Sequence, residues 1–372
     1  MPISIVTYDT VESIPLQCRQ VIDAACGGTR YDLTTPWIEA FALHFVDRNS
    51  SIRLVTFLDQ DSGQLLGWLP LTTSVAKFGV LSYRVIGTLG NYYSYDAEPL
   101  WLDGQGTKAD VCDSLIESLA NRDQSASMLD FGAMDQACSS FASLQSSMRR
   151  RGFVPEPYFR YVNWSLVLEG RDYSAYERGL PGAVRNTMSR KRKKLEKAGK
   201  LEIRICDDPS DVPYALGCYE EIYGKSWQRS EAHPAFIRDV VARFAARGWL
   251  RLGLLLLDSR PIAAQIWFSA SRSAAIFKLV FDQEFSDFSP GTVLTVELLR
   301  RVIDVDGVES VDFLTGDDAY KRQWMNKRRE LWGVRGYKKS SIVGLSFAAN
   351  MLARNTLRPI MRSIRPAPVP RD

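Results

Sequence analysis

The chain states one pattern twice, and that repetition limits its fold more than any single motif. DSGQLLGWLPL (Asp61–Leu71) is matched by DSRPIAAQIWF (Asp258–Phe268). Each is a polar turn between two strand-like runs, IRLVTFLD before the first and LRLGLLLLD before the second, which is a hairpin signal. Further on, MLDFGAMD (Met128–Asp135) is matched by VDFLTGD (Val311–Asp317). Both short strands follow an amphipathic helix. In Lys108–Asn121, Val111, Leu115 and Leu119 recur at i+4 with Ile116 beside them. In Gly291–Asp304, Val293, Val296, Leu299 and Val302 recur at i+3, thickened by Leu294 and Leu298.

Each half therefore reads hairpin, strand, helix, strand, helix, strand. The second half runs through a hairpin at Trp249–Ser271, a strand at Ala274–Asp282, the helix from Gly291, a strand at Val311–Thr315, a helical patch through Tyr320 and a last strand at Leu331–Lys339. The expected fold is α/β with mixed sheets, built as a tandem duplication. A length of 372 residues suits two domains of about 100–200 residues each. The polar, Gly/Pro-bearing stretch near Leu168–Leu180 places the boundary, giving units at 1–170 and 171–340. Residues 341–372 form a basic, partly amphipathic tail with a Pro-rich end, RPAPVPRD, expected to be disordered.

Several chemistries lack their residues. The six cysteines form no C-x-x-C pair and read as buried thiols in a reducing compartment. With only His44 and His233, and no G-x-S-x-G, neither a metal centre nor a serine triad is expected. A net charge of +4 does not make the whole molecule a polyanion binder. The N-terminus has no signal-peptide pattern, and the apolar run Gly253–Leu257 is far below a membrane span, so a cytoplasmic location is expected.

Three places can carry chemistry. Ser289-Pro290-Gly291-Thr292 stands where a strand feeds a helix. It reads either as an anion site made by uncovered helix amides or as an ordinary helix start with Ser289 as cap. Arg185–Lys200 holds eight Lys or Arg and one Glu; it is either a solvated helix face or a surface for nucleic acid, acidic lipid or a phosphorylated ligand, with Arg190 and Arg192 as candidate substrate contacts. DFLTGDDAYKRQW (Asp312–Trp324) ends a strand in a polar turn, where Tyr320 can give a proton and Lys321 can hold an anion, or where the acids simply cap a surface helix.

Read in order, RNTMSRKRKKLEKAG, SRPIAAQIWFS, FSPGTVLTVELL and VDFLTGDDAYKRQW resemble the CelD/BcsL-like branch of the GNAT acyltransferases, and more distantly the FemAB peptidoglycan transferases. The likeness spans about Gly182 to Trp332; the first half resembles the degenerate GNAT half of that branch. The resemblance implies tandem GNAT-like units and acyl transfer from acyl-coenzyme A, with no metal, to an amine or hydroxyl of an envelope or exopolysaccharide precursor. FemAB relatives use aminoacyl-tRNA instead, and a non-catalytic scaffold held at a membrane face by the tail is a third reading. By the same resemblance, Lys278, Leu279 and Val280 on a bulged strand would meet the thioester carbonyl. Ser289, Pro290, Gly291 and Thr292 would hold the pyrophosphate in place of the usual Q/R-x-x-G-x-G/A loop, which this chain lacks. Tyr320 would protonate the leaving thiolate and Asp312 would take the acceptor's proton.

Overall fold

The computed structural model describes residues 2–102, 108–122, 125–227 and 231–364. The chain begins with β1 (Ile3–Tyr8), α1 (Leu16–Cys26) and α2 (Thr35–Phe45). The first hairpin and its neighbours follow as β2 (Ser50–Asp59), β3 (Leu65–Phe78), β4 (Leu81–Thr88) and a short β5 (Leu100–Trp101). Then come α3 (Lys108–Arg122), β6 (Ala126–Asp135), α4 (Ser139–Arg150) and β7 (Phe153–Val167). After α5 (Tyr173–Gly179) and α6 (Gly182–Ala198) the pattern starts again with β8 (Leu201–Cys206), α7 (Val212–Lys225) and α8 (Pro234–Ala246). It continues through β9 (Leu250–Leu257), β10 (Arg260–Ala270), β11 (Ser273–Phe281), α9 (Pro290–Arg300), β12 (Ser310–Thr315), α10 (Lys321–Trp324) and β13 (Lys327–Lys338), and ends in α11 (Ile342–Ile364). The repeated order is the one the sequence pattern predicts. The helix pairs ahead of each hairpin, α1–α2 and α7–α8, extend the repeat beyond what the pattern revealed. The Pro-rich end lies outside the described residues.

Both hairpins turn where the Asp-Ser pairs stand. In the first, Asp59 Oδ1 accepts the amides of Asp61 and Ser62 at 3.1 and 2.7 Å. In the second, Asp258 and Ser259 take φ of 50° and 66°, the left-handed region a tight hairpin requires. The run LRLGLLLL is buried on both faces for a period-2 reason. Leu252, Leu254 and Leu256 join one hydrophobic cluster, while Leu255 and Leu257 join another beneath α9. Gly253 lies at the closest approach of α9, since a Cβ there would stand 2.8 Å from Leu298.

The strands form one sheet in the order β1-β2-β3-β4-β6-β13-β7-β12-β11-β10-β9-β8, with β5 paired to β3. The last strand of each unit lies in the other unit's half. β13 pairs with β6, and β7 pairs with β12, while β7 and β13 run antiparallel to each other from Lys327↔Ser165 to Lys338↔Phe153. The helices ahead of the two hairpins also share a core: Trp37 and Phe45 of α2 meet Phe236 of α8 with ring centroids 5.0 and 4.8 Å apart. Edge-on aromatic contacts of this kind add about 0.5–1.5 kcal/mol each beyond burial.

The exchange of strands predicts the behaviour of fragments. Residues 1–170 alone leave β7 without β12 and β13, and β6 without β13, exposing both edges of β7 and one of β6. This fragment should be insoluble when expressed alone and soluble when co-expressed with 171–372, as read by co-purification. A fragment 1–170 that is soluble and melts cooperatively contradicts the exchange.

Candidate active site

β11 and β12 are parallel neighbours over a short length, from Ser273↔Ser310 to Ala275↔Asp312. Beyond that they part. β11 carries a bulge at Phe277, because Ile266 lies opposite Lys278 and Trp267 opposite Ile276. β12 follows β7 instead, with an irregularity between Asp312 and Thr315 and a left-handed Leu314 at φ 54°. A leucine held there is strained and needs support from its surroundings. The gap between the strands is a cavity of about 940 Å³. Ile276–Leu279 form one lip and Phe313–Thr315 with Tyr320 the other. The start of α9 closes one end, and Tyr92–Tyr95 of the first unit wall the opposite side.

The start of α9 is narrower as an anion site than its sequence suggests. Pro290 has no amide hydrogen, and the amides of Thr292 and Val293 both donate to the Ser289 carbonyl at 3.0 and 3.3 Å. Among the described residues, Gly291 is left with an amide that has no protein acceptor. Ser289 itself sits at φ 50° and makes no side-chain cap. The helix start is fixed from below by buried Gln265, whose Nε2 donates to Gly291 O at 2.8 Å and Thr295 Oγ1 at 2.9 Å. Its Oε1 accepts from Trp267 Nε1 at 2.8 Å. Ser289, Gly291 and Thr292 line the cavity; Pro290 and Val280 are buried and do not.

Residues 182–322 match the family model described as an acetyltransferase (GNAT) domain. The second unit carries a GNAT domain. No curated protein matches the chain by sequence. Among solved structures, FemX is similar over 90% of this chain and 97% of its own, at 12% identity and a TM-score of 0.62. A conserved protein of unknown function from Bacteroides thetaiotaomicron VPI-5482 covers 90% of this chain and 100% of its own, at 13% identity and a TM-score of 0.55. L-PGS from Bacillus licheniformis covers 93% and 98%, at 10% identity and a TM-score of 0.51. At these identities the likeness establishes a shared fold, and the strand order shows it to be a duplicated one.

In the GNAT domain, Asp312 does not face the cavity. It is buried beneath it, and its carboxylate accepts from Tyr95 Oη at 2.8 Å, Asn163 Nδ2 at 2.6 Å and the Leu314 amide at 2.6 Å. Asn163 Nδ2 also donates to Leu314 O at 3.0 Å, so the strained residue is gripped on both sides. Arg329 lies 3.6 Å from both Asp312 and Asp96, and donates to Asn163 Oδ1 at 2.6 Å and to Tyr95 Oη. Burial raises the Asp312 pKa, against the pull of Arg329 and these hydrogen bonds. With its oxygens committed, Asp312 cannot take a proton from a bound acceptor directly. It is a positioning residue for Tyr95 and Leu314.

Lys321 also has a different task from the one its sequence suggests. Its ammonium is buried against Phe313 O, at 3.2 Å, and Thr315 O, with Asp318 at 3.4 Å. Burial lowers its pKa, opposed by Asp318. It clamps the end of β12 rather than offering a free charge. The basic helix is α6, and it lies outside the cavity. Arg192 is tied to Glu196 at 3.0 Å and to Glu297, while Arg190 is exposed.

Lys278 does face the cavity, paired at 2.7 Å with Glu231 and standing over the Tyr93 ring. Burial lowers the Lys278 pKa against the pull of Glu231. Burial works to raise that of Glu231, but Lys278 and Tyr93 outweigh it and keep the carboxylate below its ordinary range. Tyr320 stands on the opposite lip, about half exposed. Burial, then Asp318, pushes its phenol up to about 12. No group of His, Cys, Asp and Glu suited to a metal ion occurs among the described residues.

Sequence reasoning missed Glu231 and the first unit's NYYSYD (Asn91–Asp96). Three tyrosines in four residues on a loop were a usable signal for the second. This loop is anchored by Asp32, which accepts the amides of Tyr95 and Asp96 at 2.8 and 3.2 Å. Asp32 is fully buried with Oδ1 unpartnered among the described residues. Burial raises its pKa to about 6 despite Arg30. The folded chain thus holds a proton that the unfolded chain has already lost between about pH 4 and about pH 6, so its contribution falls as pH rises through that window. Asp32→Asn removes this titration. In urea denaturation, the variant's stability relative to the parent should rise by up to about 3 kcal/mol across the window. A difference that is flat with pH contradicts the assignment.

Proposed function

We propose that the chain transfers an acyl group from acyl-coenzyme A to an amine or hydroxyl by direct attack on the thioester. The observation that carries this reading is the split between β11 and β12, with the Phe277 bulge on one lip and the Tyr320 phenol on the other. The thioester would lie along β11, and its phosphates would meet the Gly291 amide and the hydroxyls of Ser289 and Thr292. As the acceptor attacks, a backbone donor at the bulge offsets the charge growing on the carbonyl oxygen, a contact worth about 3 kcal/mol. The C–S bond breaks and Tyr320, still protonated at neutral pH, gives its proton to the leaving sulfur. Glu231 is the ionised carboxylate facing the cavity among the described residues; its oxygens already accept from Tyr93 and Lys278, so it receives the acceptor's proton through water rather than by direct contact.

The acceptor enters beside Tyr92, Tyr93, Tyr223 and Trp227. Flat aromatic faces next to a charged pair suit a sugar or amino sugar, which supports an envelope or exopolysaccharide precursor as acceptor. The six cysteines are free thiols, in keeping with a cytoplasmic site of action. An aminoacyl-tRNA donor is the second reading, favoured by the exposed Arg190, Lys193 and Lys194 of α6. Co-purifying RNA, steep salt dependence and no coenzyme A binding would select it.

Tyr320→Phe should slow transfer at least about tenfold while leaving coenzyme A affinity unchanged. Steady-state kinetics with calorimetry checks this, and unchanged turnover removes Tyr320 from the mechanism. At Gly291 a Cβ would stand 3.5 Å from Leu279 and Phe281, an ordinary contact, so the fold accepts a side chain there. Gly291→Glu should melt like the parent yet show no heat of binding with coenzyme A. Normal binding in that variant moves the phosphate site elsewhere.

A further inference from the structure

The hairpin of β3 and β4 reaches past the sheet. β4 pairs with β6 only from Arg84↔Ala126 to Gly87↔Asp130, whereas β3 and β4 stay paired out to Phe78↔Leu81. The tip, Val75–Tyr83, therefore projects, and its apolar residues are not covered: Val80 is 99% exposed, Leu81 47% and Phe78 43%. By register Phe78, Leu81 and Tyr83 share one face of the hairpin. That face meets α11, where Phe347 lies 5.1 Å from Phe78 and 5.5 Å from Tyr83 between ring centroids.

α11 has two apolar sides. One docks on β13, with Phe347 stacked on Tyr337 and Val343, Ala348 and Met351 buried. The other shows Ile342, Leu345 and Leu352 at 77%, 51% and 58% exposure. Helical spacing sets these three on one stripe, roughly opposite Phe347. Hairpin tip and helix are thus in contact through Phe347, and each has further apolar residues exposed.

The two segments that carry them have charge of one sign. From Ser62 to Tyr95 the sequence has no Asp or Glu, and it contributes Lys77 and Arg84. From Leu331 to Arg371 it has no Asp or Glu and eight Lys or Arg, among them Lys339 and Arg354. The acid nearest Arg354 is Glu156, at 3.3 Å, and it also accepts from Tyr337. Among the described residues, no helix is long and apolar enough to cross a membrane. Protruding apolar residues on two segments that carry basic and no acidic side chains suit a surface that is anionic outside and hydrocarbon beneath. A nucleic acid matches the charge but has no use for an exposed Val80 and Leu345.

We infer that the β3–β4 tip and the outer stripe of α11 together form a docking surface for an anionic lipid bilayer. Val80, Leu81, Leu345 and Leu352 enter the headgroup boundary, while Lys77, Lys339 and Arg354 meet lipid phosphates. This inference stands apart from the acyl-transfer reading, since none of these residues lines the cavity.

Vesicle co-sedimentation of the full chain tests it. The protein should pellet with vesicles of mixed phosphatidylglycerol and phosphatidylcholine, and added salt or pure phosphatidylcholine should weaken this. Val80→Asp/Leu345→Asp should reduce binding at least about tenfold with an unchanged thermal melt. Lys77→Glu/Lys339→Glu, which leaves the apolar residues in place, should weaken binding to the anionic vesicles alone. Three results overturn the inference: a protein that stays in the supernatant with anionic vesicles, aspartate variants that bind like the parent, or a lipid-free dimer that the aspartate pair converts to monomer. The last would make this face a contact between copies of the chain.

Discussion

The cavity depends on a pairing between residues far apart in sequence: Arg329 of β13 opposite Asn163 of β7. Each strand comes from a different unit, and each has crossed into the other's half of the sheet. Their side chains bond at 2.6 Å, and both then reach Asp312, which grips Tyr95 from the first unit and Leu314 from the second. Arg329 also reaches Asp96. Burial works against the Arg329 charge, but Tyr95 and the two carboxylates outweigh it and raise its pKa. Removing one member of such a buried set leaves the others charged and unpaired, a loss on the order of 3–5 kcal/mol.

The two units have used the same parts differently. Asp130 in β6 occupies the place of Asp312 in β12, and it too holds a tyrosine and an arginine: Tyr158 at 2.5 Å and Arg335 at 3.1 Å. In the first unit, however, the parallel pair is closed at that level. Gly87 is aligned with Asp130, and a Cβ on it would stand 2.7 Å from the Asp130 carbonyl. In the second unit the strands separate beyond Asp312, and the opening is walled by the loop that follows β4. The first unit thus contributes a wall to a site in its partner.

Local pattern made the elements legible, and with them the repeated order, the helix start at Ser289–Thr292 and the placement of Tyr320 at a strand end. Non-local pairing was not legible. Nothing in YVNWSLVL or LWGVRGYKK says that these strands exchange places, because each has the same alternation in either position. For the same reason Asp312 looked like an accessible base and Lys321 like a free cation. Whether a carboxylate or an ammonium near a strand end meets solvent or buried partners is decided for Asp312 largely by Asn163 and Tyr95, 149 and 217 residues distant, together with Arg329, and for Lys321 by the fold of its own turn.

The crossed strands also set an order of events on the ribosome. When residues 1–170 have emerged, β6 still lacks the neighbour that covers its edge, and that neighbour is made near the end of the chain. The nascent protein must hold its first half in an unfinished state, with unsatisfied strand edges, until β13 has emerged. Stop codons or stalls before Lys338 would then yield not a working half-protein but an adhesive one, a burden for chaperones and a target for proteases.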